Sequence, residues 1–494
     1  DTLAKEGALL DRHYTAPWCA PSRSALMTGI MPHLGMQSIR QGVPQDVTML
    51  PQVMRNAGYS THHVGKWHLG MTRKWMYPSE RGFDSSFGFM DGQADYVTQQ
   101  NQFGIKSSWP CSGVDLQQNA EPALGMNGTF SYDWFRNHIS KALEGELSKP
   151  IFLFVALQAM HTPSPGPEML QNFIYEYQTN GVSDESYVLS NALITFADHV
   201  LKHAADLLRA KNMWENTLLI HLSDNGGQIV YGSHGNQGNN FPLRGMKRSF
   251  FEGGVRVPAF VTGGALPIGG RGKLLSGYIH IADWYATIAE LAGHPTTVQA
   301  AQKSRSMAAY LSGDVSTSPR TSMILGAGDT DATCNYVESV IQGAYKLING
   351  SIPCSWASYQ GPLYPNASTV RIGFKVTAEQ MAADDCVLDK TTFLFNIRED
   401  PHELVNLADS HPVLLSNLQK MLMQARKESK GCFPTDHDRG EPNKADFCES
   451  FVRDNHGFVG PYMEGRERRP LDEEFTVRLP HPLAFTDSDV YTDE

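Results

Sequence analysis

Four short stretches of this chain carry residue types that do chemistry. The first is Cys19-Ala20-Pro21-Ser22-Arg23, continuing Ser24-Ala25-Leu26-Met27-Thr28-Gly29. Proline lacks an N–H and suits the first turn of a helix, so Cys19 is expected just before a helix start. Free N–H groups and the positive end of the helix dipole there favour a tetrahedral oxyanion such as sulfate. Taken alone, the cysteine reads equally as a buried thiol or half a cystine, and as a thiol nucleophile it would need a base nearby. The second stretch is Gly65-Lys66-Trp67-His68-Leu69-Gly70. In an extended segment residues two apart face the same way, so Lys66 and His68 converge while Trp67 packs behind. The third, His161-Thr162-Pro163, follows the apolar run Ile151–Leu157, and the fourth is Ser223-Asp224-Asn225-Gly226-Gly227. An Asp and an Asn at a strand's end, before two glycines that let the backbone turn, make a hard-cation site with oxygen ligands. The same four residues are also a common turn sequence.

The elements that must position these groups read as an α/β pattern, short apolar runs alternating with amphipathic stretches. Residues 47–57 have helical spacing, with Leu50, Val53 and Met54 on one face and a stop at Gly58. Strands are expected over 59–64, 151–158 and 217–222, and a long amphipathic helix over 186–211, with Leu193, Phe196, Val200 and Leu207 inward. Ligands of open α/β sheets bind beyond the carboxyl ends of the strands, where His161 and Asp224 would lie. A helix over 280–293 closes the large domain. Past it, strand-like runs at 322–325, 336–341, 346–348 and 393–397 precede a helix over 411–427, a small antiparallel sheet carrying one helix. The expected division is 1–300, 318–433 and a charged, proline-containing tail over 434–494.

At 494 residues the chain calls for two domains. A formal charge of −11 argues against a general nucleic-acid binder, and no apolar run reaches membrane-spanning length. Setting Cys19 aside leaves six of seven cysteines, enough for three disulfides. Cys334 and Cys354 flank two strands and are the leading pair. With the sequons at Asn127, Asn349 and Asn366 this favours the secretory pathway, lysosomal or extracellular.

The Cys19–Gly29 and Gly65–Gly70 stretches resemble the type I sulfatases of the alkaline-phosphatase-like superfamily. The resemblance continues in Arg244-Gly245-Met246-Lys247, Phe251-Glu252-Gly253-Gly254-Val255-Arg256 and the 393–407 block. It implies a mostly parallel sheet flanked by helices, with Cys19 oxidised by a formylglycine-generating enzyme to formylglycine, whose hydrated aldehyde attacks sulfur. Arg23 would hold that hydrate and His68 orient or deprotonate it. Lys66, Lys247 and one Ca²⁺ would neutralise the sulfate oxygens, and His161 would protonate the departing alcohol. Cys19, Asp224 and Asn225 would be metal ligands, and Glu252 and Arg256 structural. Residues 71–96 resemble the arylsulfatase B branch, which implies a sulfated small molecule or glycan as substrate. The family's opening strand, ending in an Asp-Asp metal pair, is not found before the helical-looking start at Asp1, so a fragment or incomplete gene product is expected. Two other readings stay open, a phosphonate or phosphate monoester hydrolase of the same superfamily and a non-catalytic carbohydrate-binding relative.

Overall fold

The computed structural model describes residues 2–35, 42–103, 111–126, 128–144, 148–178, 185–228, 238–294, 303–327, 337–353, 357, 388, 391–429 and 457–461. The chain begins with α1 (Thr2–Glu6) and β1 (Ala8–Tyr14), joined at Gly7, where an added Cβ would lie 2.0 Å from the Val261 carbonyl oxygen. β1 is a strand the sequence pattern does not anticipate. It is buried along most of its length, so polar residues do not alternate with apolar ones. α2 (Cys19–Thr28) follows, starting on Cys19 itself rather than one residue later.

α3 (Leu50–Asn56) is shorter than its apolar spacing suggests, because Pro51 sits in its first turn and sets the start. β2 (Ser60–Gly65), β3 (Ser85–Gly88), β4 (Gln100–Phe103), β5 (Cys111–Val114), β6 (Gln117–Gln118) and β7 (Glu121–Pro122) come next. α4 (Ser131–Glu144), β8 (Ile151–Ala156), α5 (Pro167–Gln178), α6 (Glu185–Ala210) and β9 (Leu219–Leu222) complete the middle of the chain. α7 (Glu252–Val255), β10 (Ala259–Thr262), β11 (Lys273–His280), α8 (Asp283–Leu291) and α9 (Ala308–Ser312) lead to the last sheet. That sheet is β12 (Ser322–Gly326), β13 (Val337–Gln342), β14 (Tyr345–Gly350) and β15 (Thr392–Asn396), before the helix α10 (Pro412–Glu428).

Two mixed sheets carry the large α/β part. One has the order β11-β1-β10-β9, with β1 parallel to β11 and antiparallel to β10. The other has the order β7-β6-β3-β2-β8, with β2 parallel to both β3 and β8. Helices α4 and α6 pack Trp134, Phe135, Leu193 and Phe196 into one core with Phe87 and Phe89. Trp67, Tyr77 and Phe83 form another core with Leu50, Val53 and Met54 of α3. Fully burying one such side chain stabilises the fold by about 1.5–3 kcal/mol, which is why short strands suffice here.

Among the described residues β8 and β9 each pair on one side only. Their apolar side chains, Phe152, Leu153, Phe154 and Val155 on β8 and Ile220 and Leu222 on β9, are only half-buried. A cleft of about 1870 Å³ runs between the two strands.

The last four strands form an antiparallel sheet in the order β12-β13-β14-β15, with Leu418 and Leu422 of α10 packed on Val340, Leu347 and Leu394. The opposite face joins the core of the α/β part through Met323, Ile341, Ile348 and Phe393. The Cys334–Cys354 pair and the sequons Asn127 and Asn366 lie outside the described residues.

A buried charge cluster ties this sheet to α7. Lys346 Nζ lies 2.9 Å from Glu252 Oε1 and 3.0 Å from Glu403 Oε1, with all three side chains fully buried. Glu403 Oε2 also accepts from the Glu252 backbone N–H at 2.7 Å, and Tyr14 donates to Glu252 Oε2 at 2.8 Å. Burial, only partly offset by the Lys346 ammonium and reinforced by Glu252, pushes the Glu403 carboxyl up to about 7. Because that value lies above the unfolded carboxyl's 4.5, the folded state holds the proton more tightly. The resulting stabilisation is full below pH 4.5 and is lost as pH rises through 7. Glu403→Gln, neutral throughout, should therefore lose less thermal stability than the parent between about pH 4.5 and about pH 8. Melting curves at both values check this, and equal losses would contradict it.

Candidate active site

α2 is buried at every residue and has Trp18 as its N-cap, extended at φ −134° and with no side-chain cap. The first-turn N–H groups are thus left without a capping side chain, as at anion-binding helix starts. Cys19 is a free thiol, 4 % exposed, with Sγ 3.4 Å from His68 Nδ1. One turn later Arg23 reaches across to the segment after β2, donating from Nε to the Trp67 carbonyl at 2.8 Å and from Nη2 to the Lys66 carbonyl. Its other nitrogen, Nη1, lies 3.9 Å from Asp224 Oδ2. Arg23 therefore fastens the cysteine helix to the Lys66–His68 turn and faces the Asp-Asn corner, rather than bonding to Cys19.

Lys66 and His68 do converge on Cys19, but not as an extended pair. His68 adopts a left-handed conformation at φ 56°, uncommon outside glycine. Trp67 is fully buried behind them and donates from Nε1 to the Met76 carbonyl at 2.8 Å. Burial, helped by the Lys66 charge, pushes His68 down to about 3, so the ring is a neutral base at pH 7. Burial also lowers Lys66 and Arg23, against the opposing pull of Asp224 and Cys19.

His161 sits in the turn after β8, its carbonyl accepting from the buried Tyr96 hydroxyl at 3.1 Å. Its Nδ1 donates to the Thr162 carbonyl at 2.9 Å, which leaves Nε2 to accept from Lys247 Nζ at 3.2 Å. Burial, with Lys247 and Lys66 nearby, holds this imidazole well below its ordinary value. The unprotonated Nε2 of His161 thus faces Lys247 Nζ as an acceptor. Lys247 is placed by its backbone N–H on the Gly227 carbonyl at 3.1 Å, and Asn240 ties the two loops together, donating to the Gly227 and Gly245 carbonyls. Gly226 is required there, since a Cβ would lie 1.8 Å from the Gly253 carbonyl oxygen.

Arg23, Lys66, His161, Asp224, Asn225 and Lys247 all line the cleft between β8 and β9. Cys19 and His68 lie off its lining. Cys19 and His68 meet each other instead, and Arg23, one turn after Cys19, joins them to the cleft. Sequence reasoning missed Asn240, and it missed Asp91, whose Oδ1 lies 4.0 Å from His68 Nε2. Neither carries a local signal, because each acts only through a partner distant in sequence.

For a hard cation, Asp224 supplies a partly exposed carboxylate and Asn225 a buried Oδ1 that no donor reaches. Asn225 Nδ2 is bonded to the Gly226 carbonyl at 2.8 Å, which fixes the amide with its oxygen free. An orphaned buried acceptor beside a carboxylate fits an oxygen-liganded ion such as Ca²⁺. Among the described residues no group of three or more His, Cys, Asp or Glu could hold a metal.

A helix start beside a cleft lined by buried cations and an oxygen-rich corner fits a hydrolase of oxyanion esters. A family model described as Sulfatase matches residues 1–294, and the chain belongs to that family, the type I sulfatases. It is a sulfuric ester hydrolase. The chain is 30% identical to mouse (Mus musculus) arylsulfatase J over 95% of its own length and 77% of that protein. It is 27% identical to the dog (Canis lupus familiaris) N-acetylgalactosamine-6-sulfatase over 88% of its length and 81% of the relative's. In fold it resembles the PsFucS1 sulfatase from Pseudoalteromonas sp., with a TM-score of 0.62, 20% identity and coverage of 87% and 85% of the two chains. It likewise resembles Ps i-CgsB in complex with k-i-k-neocarrahexaose, with a TM-score of 0.67, 22% identity and 89% of each chain covered.

Arg23→Lys keeps the charge but replaces the planar fork, fixed on two carbonyls, with a flexible point charge. Since a displacement of about 1 Å costs about 10²-fold in rate, kcat/KM toward an aryl sulfate should fall by about that factor with the protein still folded. Steady-state kinetics and a melting curve check this.

Proposed function

We propose that this chain is a sulfatase of the arylsulfatase B type, acting on sulfated glycans or small sulfate esters through formylglycine made from Cys19. The observation that carries the reading is the 3.4 Å approach of Cys19 Sγ to His68 Nδ1 at the helix start, with Arg23 bridging to Lys66, Trp67 and Asp224. A formylglycine at that position supplies a hydrated aldehyde, one hydroxyl attacking sulfur and the other losing its proton as sulfate leaves. Asp224, Asn225 and the residue-19 side chain would hold a Ca²⁺ ion, which would supply positive charge toward the sulfate oxygens.

The chain's own groups do the rest. His68, neutral and facing residue 19 through Nδ1, accepts the hydrate proton. Lys66 and Lys247 stabilise charge that builds on the sulfate oxygens, usually the largest contribution in such sites. Lys247 and His161 together place a proton at the departing ester oxygen, with Lys247 its source. The remaining carboxylates of the cation cage belong, on this reading, on a strand seated between β8 and β9. The one-sided pairing of both strands among the described residues and the half-buried apolar side chains around the cleft support that placement.

The resemblance of residues 71–96 and the N-acetylgalactosamine-6-sulfatase relative favour a sulfated amino-sugar glycan as substrate. A formylglycine-generating enzyme would be the maturation partner. The six further cysteines and the sequons favour a lysosomal or extracellular destination, and no helix among the described residues is long and apolar enough to cross a membrane.

Turnover of an aryl sulfate against the matching aryl phosphate, by the full-length protein with Ca²⁺, tests this reading. The sulfate should be preferred by at least about tenfold, about 1.4 kcal/mol of transition-state discrimination. Both Cys19→Ala and chelation of the metal should abolish the reaction. Equal or faster phosphate turnover would move the chain to the phosphomonoesterase reading, and no turnover of either would favour a binding protein.

A further inference from the structure

We propose that Asp91 is a positioning residue that fixes the ring orientation and tautomer of His68. The inference rests on the reading of His68 as the base at residue 19. His68 faces Cys19 Sγ through Nδ1, so to accept a proton there the neutral ring must carry its own hydrogen on Nε2. The group standing at Nε2 is the Asp91 carboxylate, 4.0 Å away and 28 % exposed. A carboxylate at that distance favours the Nε2–H form, and a small rotation closes it to a hydrogen bond, as often happens once substrate is bound. The charged groups acting on His68 are Lys66, Arg23 and Lys247, which oppose charge on the ring, and Asp91, which favours it.

Asp91 is itself held on both sides. Its Oδ2 accepts from Asn101 Nδ2 at 2.9 Å, and Asn101 is 2 % exposed. Its backbone N–H donates to Asp115 Oδ2 at 2.9 Å, and the Met90 N–H donates to Asp115 Oδ1 at 2.7 Å. Asp115 is fully buried, so the 90–91 turn rests on a carboxylate with nowhere else to go. The same turn grips His68 directly, since the His68 N–H donates to the Met90 carbonyl at 3.0 Å. Gly92 packs against the ring, where an added Cβ would meet Cε1 at 2.8 Å. Asn101 and Asp115 thus set Asp91, and Asp91 with Gly92 sets a histidine whose left-handed backbone would otherwise relax.

The test is nitrogen-15 NMR of the imidazole rings in the full-length protein and in Asp91→Asn, with His68 assigned by its loss in His68→Asn. The parent should show His68 as the Nε2–H tautomer. In Asp91→Asn an amide N–H faces Nε2 and should populate the Nδ1–H form. With an aryl sulfate, kcat should fall about 10–100-fold while KM stays within about twofold, as expected when an outer partner of a reacting group is lost. Asp91→Glu, which keeps a carboxylate, should recover part of kcat. A parent His68 already in the Nδ1–H form, or an Asp91→Asn protein with unchanged tautomer and kcat, would overturn the proposal. The tautomer readout does not depend on catalysis, so failure here is separable from failure of the sulfatase mechanism.

Discussion

Positive charge gathered in a dry place is the constraint on which this structure depends. Arg23 and Lys66 are 6 % and 4 % exposed, and Lys247 stands by the same cleft, while the acidic group facing them, Asp224, lies at 3.9 Å from Arg23. Burying cations without close, fully bonded partners is costly. The arrangement makes physical sense if an anion completes it. The uncapped start of α2 adds further donors to the same region, so the site is electrostatically prepared before any ligand arrives.

Such a site survives only if its backbone is rigid, and long-range bonds supply the rigidity. Arg23 ties α2 to the Lys66–Trp67 carbonyls, Asn240 ties the Gly226–Gly227 turn to the Lys247 loop, and Tyr96 pins the His161 turn. The Lys247 loop is braced in turn from the antiparallel sheet. Arg244 donates to the Glu403 and Ala357 carbonyls, and Glu403 accepts from the Glu252 N–H. The small sheet therefore supports the chemistry without lining the cleft.

Much of this is legible in the sequence because the chemical groups come in compact local blocks. Cys19 with Arg23, Lys66 with His68, and Asp224 with Asn225 each fall within one turn or strand end. Long amphipathic elements such as α6 and α10 also read correctly to within a residue or two. What is hidden depends on partners far along the chain. β1 is buried without alternation, and α3 is cut short by Pro51. The left-handed turn at His68 and the support given by Asp91, Asn101, Asp115 and Asn240 are tertiary facts with no periodic signature. Similarly, the orientation of the His161 ring, with Nδ1 on the Thr162 carbonyl and Nε2 toward Lys247 Nζ, is a detail that spacing cannot reveal.

The central claim is that residue 19 works as an aldehyde and not as a thiol. It is tested most directly by the intact mass of the peptide containing position 19, isolated from full-length protein made in a host with the converting enzyme. The account predicts the mass of formylglycine, trapped as a hydrazone by a hydrazine reagent. An unconverted, alkylatable thiol in fully active protein, or a peptide joined through residue 19 to another cysteine, would contradict it.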